Sequence, residues 1–352
     1  MSTNSSPPTR HSVLKIAAPG GALGLITSAS SSIVNPARAA GIADHDQIAV
    51  TDLALKAYER AHIAKGKRMS GLEWKLLTKK RMSATQGVPP GKEDLAWVTN
   101  TVTLIHGQRD AVLVDTFLSE QHSKELLDWV VASGKNLTTI YVTHGHGDHF
   151  FGLKLLLDKF PNAKGIATAS VVAAIQDQIK PEYIRSFWEP RFPGQLPSQL
   201  TAPEVIKGDT FYLEGEELKV VELGHTDTSH STALYVPSIR LAISGDGVYN
   251  NTHLYLAECD QAARDEWLRA LDKIEALHPQ TVVAGHGVLD PDSSPRHIEE
   301  TRRYLRDFDA CVGRTSTAIA LYKAMLSLHP NRVNPGSLWA AAKAAKPSQK
   351  EP

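Results

Sequence analysis

Cysteine is scarce. Cys259 and Cys311 are the only two in a chain of 352 residues, and there is no CxxC. Two thiols cannot build a structural zinc site by themselves. They could form one disulfide, but a pair of buried free thiols is the simpler expectation. Charge of one sign is missing too, since 38 basic side chains balance 38 acidic ones. Without a clustered basic excess no nucleic-acid partner is expected. No GxSxG is present, so the serine-elbow route to hydrolysis is excluded. Internal repeats and long linkers are also absent. The apolar stretch SVLKIAAPGGALGLITSASSSIV, residues 12–34, is broken by Pro19, Gly20, Gly21 and several serines, which argues against a membrane-spanning helix.

The composition that remains is ordinary for a globular protein, 42% hydrophobic and 22% charged. The length suits one large domain or two average ones. The N-terminus has the layout of an export leader. Residues 1–11 are polar, the weakly apolar stretch follows, and Ala37-Arg38-Ala39 offers the small-x-small pattern of a cleavage site. Thr9 to Lys15 resembles a twin-arginine signal with His11 in place of the second arginine. A signal peptide over 1–39 and an exported protein, periplasmic or secreted, are therefore expected. A leader without function would leave the protein cytoplasmic.

Residues 40–94 read as an extension packing on the core, helical in places (TDLALKAYERAHIAKG) and turn-rich at GVPPGKE. The runs WVTNTVTLIHG and AVLVDTF flank QRD as a hairpin. Helix and strand patterns then alternate to about residue 296. Among them DQAARDEWLRALDKIEAL carries Trp267, Leu268, Leu271, Ile274 and Leu277 on one face. Residues 297–352 are mainly helical. Interleaved strands and helices mean α/β layering, with sheet inside and helices outside.

The chemistry concentrates in VTHGHGDHFFG, residues 142–152. At the end of an apolar strand, residues two apart point the same way, so His144 and His146 can aim at one place. Asp148 and His149 open the next helix, where a carboxylate suits the free amide groups. Gly145 and Gly147 are expected to let the backbone turn tightly. The stretch thus supplies two pairs of ligands and completes neither coordination shell. Candidates for the rest recur in one context, a short apolar strand, a glycine and a ligand-type residue. They are His225 after KVVELG, Asp246 after RLAISG and His286 after TVVAG. Four strands would thus present ligands at one sheet edge.

These motifs, over residues 95–290, resemble the metallo-β-lactamase-fold hydrolases. The resemblance implies a four-layer αββα sandwich with helical N- and C-terminal additions and a catalytic domain over 95–296. It implies two zinc ions, with manganese, iron or cobalt also compatible. By that resemblance His144, His146 and His225 hold the first ion, Asp148, His149 and His286 hold the second, and Asp246 bridges them. Asp115, at the end of AVLVD, would support the site without being a ligand. Histidine at 146 is similar to the hydrolytic zinc branch, whereas glutamate there would have pointed to iron-binding electron-transfer relatives. Asp246 resembles lactonases and glyoxalase-type thioesterases rather than the main zinc β-lactamases. Tyr249 stands at the interval where lactonases of this fold carry a tyrosine that hydrogen-bonds the substrate carbonyl. Tyr249 and Asp148, a proton carrier, are accordingly the candidate catalytic residues. The bland reading of Tyr249 is a core tyrosine with its hydroxyl in water.

SFWEPRFPGQLP brings Phe187, Trp188 and Phe192 among prolines. They read as a lid or pocket wall, or else as a rigid connector packed on the core. His253 is a further pocket candidate. His230 is an alternative ligand, and His106, His122, His278 and His297 read as structural. The expected activity is opening of a lactone or cleavage of a related ester or amide. The alternatives are a one-iron sulfur dioxygenase of the same fold or a phosphotriester or aryl ester hydrolase. The expected partner is a small-molecule substrate, with no membrane contact in the mature form. The C-terminal helices could serve a homodimer or simply pack across the sheet.

Overall fold

In the computed structural model, residues 71–82 and 97–347 are described. The leader over 1–39 and the helical reading of 51–66 lie outside them.

Two sheets form the centre. The first has six strands in the order β1 (Glu73–Met82), β2 (Trp97–His106), β3 (Asp110–Val114), β4 (Asn136–Tyr141), β5 (Lys164–Ala167) and β6 (Glu204–Val205). β1, β2 and β3 pair antiparallel, and β3 to β6 run parallel. The second sheet runs β11 (Thr281–Val283), β10 (Leu241–Ile243), β9 (Ser231–Val236), β8 (Glu216–Gly224), β7 (Thr210–Leu213). The QRD turn does join a hairpin, with Thr103 opposite Val114. One strand was not foreseen. β1 falls in the stretch read as partly helical, but it pairs with β2 along its whole length, from Glu73 opposite His106 to Met82 opposite Trp97. Its partner decides its conformation, a long-range effect that local pattern cannot register.

Alternate side chains explain the layering. Ile105, Val112, Val114, Tyr141 and Ile166 of the first sheet meet Leu218, Val220, Leu234, Val236 and Val283 of the second in one buried cluster. The other face of the first sheet, through Leu104, Leu113 and Ile140, packs on α1 (Glu120–Ala132) and α3 (Leu153–Lys159). α5 (Gln261–Glu275), α6 (Arg296–Arg314), α7 (Ala318–Leu328) and α8 (Pro335–Ala345) cover the second sheet around Trp267, Leu271, Tyr304 and Phe308. This is the αββα sandwich. Trp267, Leu271 and Ile274 are fully buried along α5, as the helical spacing requires. Asp260 caps that helix by accepting from the Ala263 amide at 2.9 Å. No helix among the described residues is long and apolar enough to cross a membrane.

Candidate metal centre

The chemistry sits where strands end. β4 delivers Val142 to His146 to the edge, and the single turn α2 (Gly147–Phe150) then carries Asp148 and His149. Asp115 directly follows β3, and Asp246 and His286 each lie three residues past the ends of β10 and β11, so one rim of the sandwich gathers them. Gly145 and Gly147 do not use glycine's left-handed freedom, contrary to the expectation of a tight turn. They make room: a Cβ at 147 would sit 2.6 Å from the Phe151 ring, and one at 145 would sit 2.8 Å from Ala174.

Three imidazoles are each fixed by one ring nitrogen and turn the other into the site. His144 Nδ1 lies 3.1 Å from Thr143 Oγ1. His149 Nδ1 lies 2.9 Å from Asp115 Oδ2, and Asp115 is itself held by the Thr143 amide and hydroxyl, both at 2.8 Å. His286 Nδ1 meets the Thr99 carbonyl at 2.5 Å. This is how ligating histidines are oriented, through the nitrogen that does not bind the ion. It also gives Asp115 the supporting part expected of it, at a backbone φ of 64°. The opposite nitrogens of His144 and His149, together with Asp246 Oδ1, are buried without hydrogen-bond partners. Unpartnered buried polar atoms are costly unless something charged completes them.

The free donor atoms converge. His144, His146 and Asp227 form one group, Asp148, His149 and His286 a second, and His144, His149 and Asp246 a third that links the two. Asp246 lies between, its Oδ1 3.4 Å from His149 Nε2 and its Oδ2 2.9 Å from His286 Nε2. His286 Nε2 is 3.5 Å from Asp148 Oδ2. Converging imidazole and carboxylate donors, several of them buried without partners, fit a pair of divalent ions.

Six of the seven expected ligands thus come together: His144, His146, Asp148, His149, Asp246 and His286. His225 does not join any group; its Nε2 is buried and unpartnered. Asp227, two residues on, is there instead. The β8–β9 register slips between Glu222 and Gly224, and Gly224 adopts a φ of 93°. The simple rule of strand, glycine, ligand therefore loses its phase at this one strand.

Electrostatics follow the geometry. Burial lowers the pKa of His144. Burial opposes protonation of His146, but the Glu258 and Asp227 carboxylates outweigh it and raise its pKa well above the usual range. Burial would raise the Asp148 pKa, yet Arg81 and the neighbouring histidines hold it well below the ordinary value. Burial, reinforced by Asp246, raises the Tyr249 phenol pKa well above the usual value, so it stays a donor.

Several participants escaped sequence reasoning. Arg81, on β1, pairs with Asp148. Asn100 donates to the same Asp148 oxygen at 2.8 Å. Glu258 Oε1 stands 3.2 Å from His146 Nε2. Asn334 and Ser337, at the start of α8, line the cleft. None follows a strand-glycine pattern, and no local signal marks them.

The cleft above the donors has a cavity volume of about 60 Å³. Tyr183, Phe187, Trp188 and Tyr255 form its aromatic wall. Tyr183 and Phe187 stack at 5.1 Å, Arg191 covers the Phe187 ring, and Trp188 Nε1 donates to Gln178 at 2.9 Å. Tyr249 also reaches the cleft and donates to Asp246 Oδ2 at 2.9 Å. Its hydroxyl therefore sits at the donor cluster, not in bulk water. Two expectations change here. Phe192 is fully buried behind Trp188, 6.1 Å away, and does not line the cleft. His253 is absent from the cleft as well, because its Nδ1 is engaged 2.9 Å from the Tyr304 hydroxyl inside the helical layer.

Residues 95–286 match the family model of the metallo-beta-lactamase superfamily. The chain is 25% identical over 226 residues to metallo-beta-lactamase IND-1 of Chryseobacterium indologenes, spanning 63% of this chain and 82% of that one. It is 23% identical over 185 residues to a hydroxyacylglutathione hydrolase of Prochlorococcus marinus, spanning 52% of this chain and 63% of that one. A solved metallo-beta-lactamase family protein of Thermus thermophilus superposes with a TM-score of 0.53 at 20% identity, covering 78% of this chain and 91% of that one, which speaks for the fold alone.

Proposed function

Since the chain belongs to the metallo-β-lactamase superfamily and is a metal-dependent hydrolase, we propose that it uses two zinc ions to open a lactone or cleave a related ester or amide. The observation that carries this is the convergence of the His and Asp donor atoms into linked groups, with His144 Nε2, His149 Nε2, Asp227 Oδ2 and Asp246 Oδ1 buried there without hydrogen-bond partners. His144, His146 and Asp227 would hold one ion, Asp148, His149 and His286 the other, with Asp246 between them. Bound there, the pair would supply Lewis acidity and a water of lowered pKa.

The chain's own residues supply the rest. Arg81 and Asn100 keep Asp148 ionised and fixed in orientation, ready to take a proton from the attacking water. Tyr249, held 2.9 Å from Asp246, presents a phenol to the substrate carbonyl or to the leaving oxygen. Tyr183, Phe187, Trp188 and Tyr255 seat an apolar or flat substrate and exclude water around it. A second reading, cleavage of a thioester, draws on the similarity to hydroxyacylglutathione hydrolases.

The test is a panel of lactones, thioesters, aryl esters, β-lactams and phosphotriesters, run with zinc-loaded protein of measured metal content. Lactone turnover at two zincs per chain is expected. Thioester turnover without lactone turnover supports the second reading. One iron per chain with oxygen uptake on a sulfur substrate replaces both with a dioxygenase. Export remains part of the proposal. N-terminal sequencing of protein recovered from a periplasmic fraction tests it, with Ala40 as the expected first residue.

A further inference from the structure

The geometry points to Asp227 as a direct ligand of the first ion, making that centre two imidazoles and a carboxylate. The inference rests on the metal-dependent reading above and concerns which side chains hold the metal. Asp227 is fully buried. Its Oδ1 accepts from the Thr226 hydroxyl at 3.0 Å. Its Oδ2 has no well-directed hydrogen bond, although it lies 2.8 Å from His146 Nδ1 and 3.7 Å from His144 Nε2. The far nitrogen of His146 faces Glu258 at 3.2 Å and that of His144 faces Thr143 at 3.1 Å. All three side chains thus turn their remaining donor atom to a common point. Ligand bonds of about 2.0–2.2 Å place the donors of one ion roughly 2.8–3.8 Å apart when the angles run from about 90° to 130°. Both observed separations fall in that range. A buried carboxylate oxygen without a well-directed hydrogen bond is costly, and a cation at that point removes the cost.

The substitution of oxygen for nitrogen has consequences. A carboxylate is a harder donor than imidazole, so manganese and iron compete better with zinc at this centre than at one of three histidines. It also removes one unit of positive charge from the loaded site. Together with Glu258 behind His146, that favours neutral substrates over anionic ones.

Two variants test the assignment, Asp227→Ala and the nearly isosteric Asp227→Asn, with circular dichroism confirming the fold of each. Metal per chain is measured by mass spectrometry after dialysis, affinity by competition with a chelator, and coordination by the visible spectrum of the cobalt-loaded protein. Wild type is expected to keep two ions. Both variants should keep one, with the other weakened at least about 100-fold, and Asp227→Asn should change the cobalt spectrum. If Asp227→Asn holds two ions as tightly as wild type with an unchanged spectrum, Asp227 only accompanies His146 and the inference fails. If wild type itself takes up no ion, the metal-dependent reading fails with it.

Discussion

Arg81 is the most informative residue to perturb, because β1 exists to the active site mainly through it. Its Nη2 pairs with Asp148, its Nε donates to Asn100 Oδ1 at 2.7 Å and its Nη1 to the Met82 carbonyl at 2.7 Å. The pair is nearly dry, with 11% of the Arg81 side chain and 7% of the Asp148 side chain exposed. Removing one member of a buried pair strands the other and costs about 3–5 kcal/mol; the partial exposure here argues for the lower end, about 3 kcal/mol. For a domain of this size each kcal/mol moves the melting temperature by about 2 °C, so metal-free Arg81→Ala should melt roughly 6 °C below wild type. In an Asp148→Asn background the stranded charge is gone and only the smaller hydrogen bonds are lost. The coupling between the two positions should then be about 2 kcal/mol. Metal-loaded Arg81→Ala should lose less than the metal-free variant, because a cation on Asp148 replaces the guanidinium. Calorimetry of the four metal-free proteins and the loaded pair measures all of this. An equal drop with and without the Asp148 charge would refute the argument.

Four further outcomes are expected. Asp115→Asn removes the carboxylate oxygen behind His149 Nδ1, and the second ion should bind about 10–100-fold more weakly by chelator competition, with the fold intact. Tyr249→Phe should lower kcat by about 100-fold at unchanged metal content if the phenol stabilises the reacting oxygen, and unaltered turnover would dismiss that role. Phe187→Ala, at the cleft wall, should raise KM for aromatic or long-chain substrates several-fold while leaving kcat for the smallest substrates alone; identical KM values across the series would count against the wall. His253 is held neutral by burial, with Arg332 and His329 adding to the effect, and its pKa falls to about 3. Its folded-state value is depressed, so it costs nothing above about pH 6.5. It destabilises the protein progressively as pH falls from about 6.5 toward 3, where the unfolded chain takes the proton first. At pH 5 the loss is about 2 kcal/mol. Urea titrations of metal-free protein at pH 7 and pH 5 should therefore show a gap larger by about that amount in wild type than in His253→Gln.

Much of the site was legible because ligand spacing is a local property. A strand end followed by HxHxDH fixes which residues are neighbours, and the recurrence of strand, glycine and ligand at Asp246 and His286 needed no knowledge of the fold. The same rule selected His225 and missed Asp227, since a register slip within β8 shifts the phase and leaves no mark in composition. Phe192 and His253 were placed in the cleft by proximity along the chain. Packing put Phe192 beneath Trp188, and a bond to Tyr304 drew His253 into the helical layer.

The amino-acid order alone determined the alternation of strands and helices, the rim on which the ligands gather and the class of chemistry they allow. These depend on periodicity and on short-range spacing, both written along the chain. Only the tertiary structure decided the electrostatic partners. Arg81 meets Asp148 across 67 residues, Glu258 meets His146 across 112, and Thr99 meets His286 across 187. Such contacts arise from how two sheets close on one another, and no local pattern encodes which side chains that closure brings within hydrogen-bond reach.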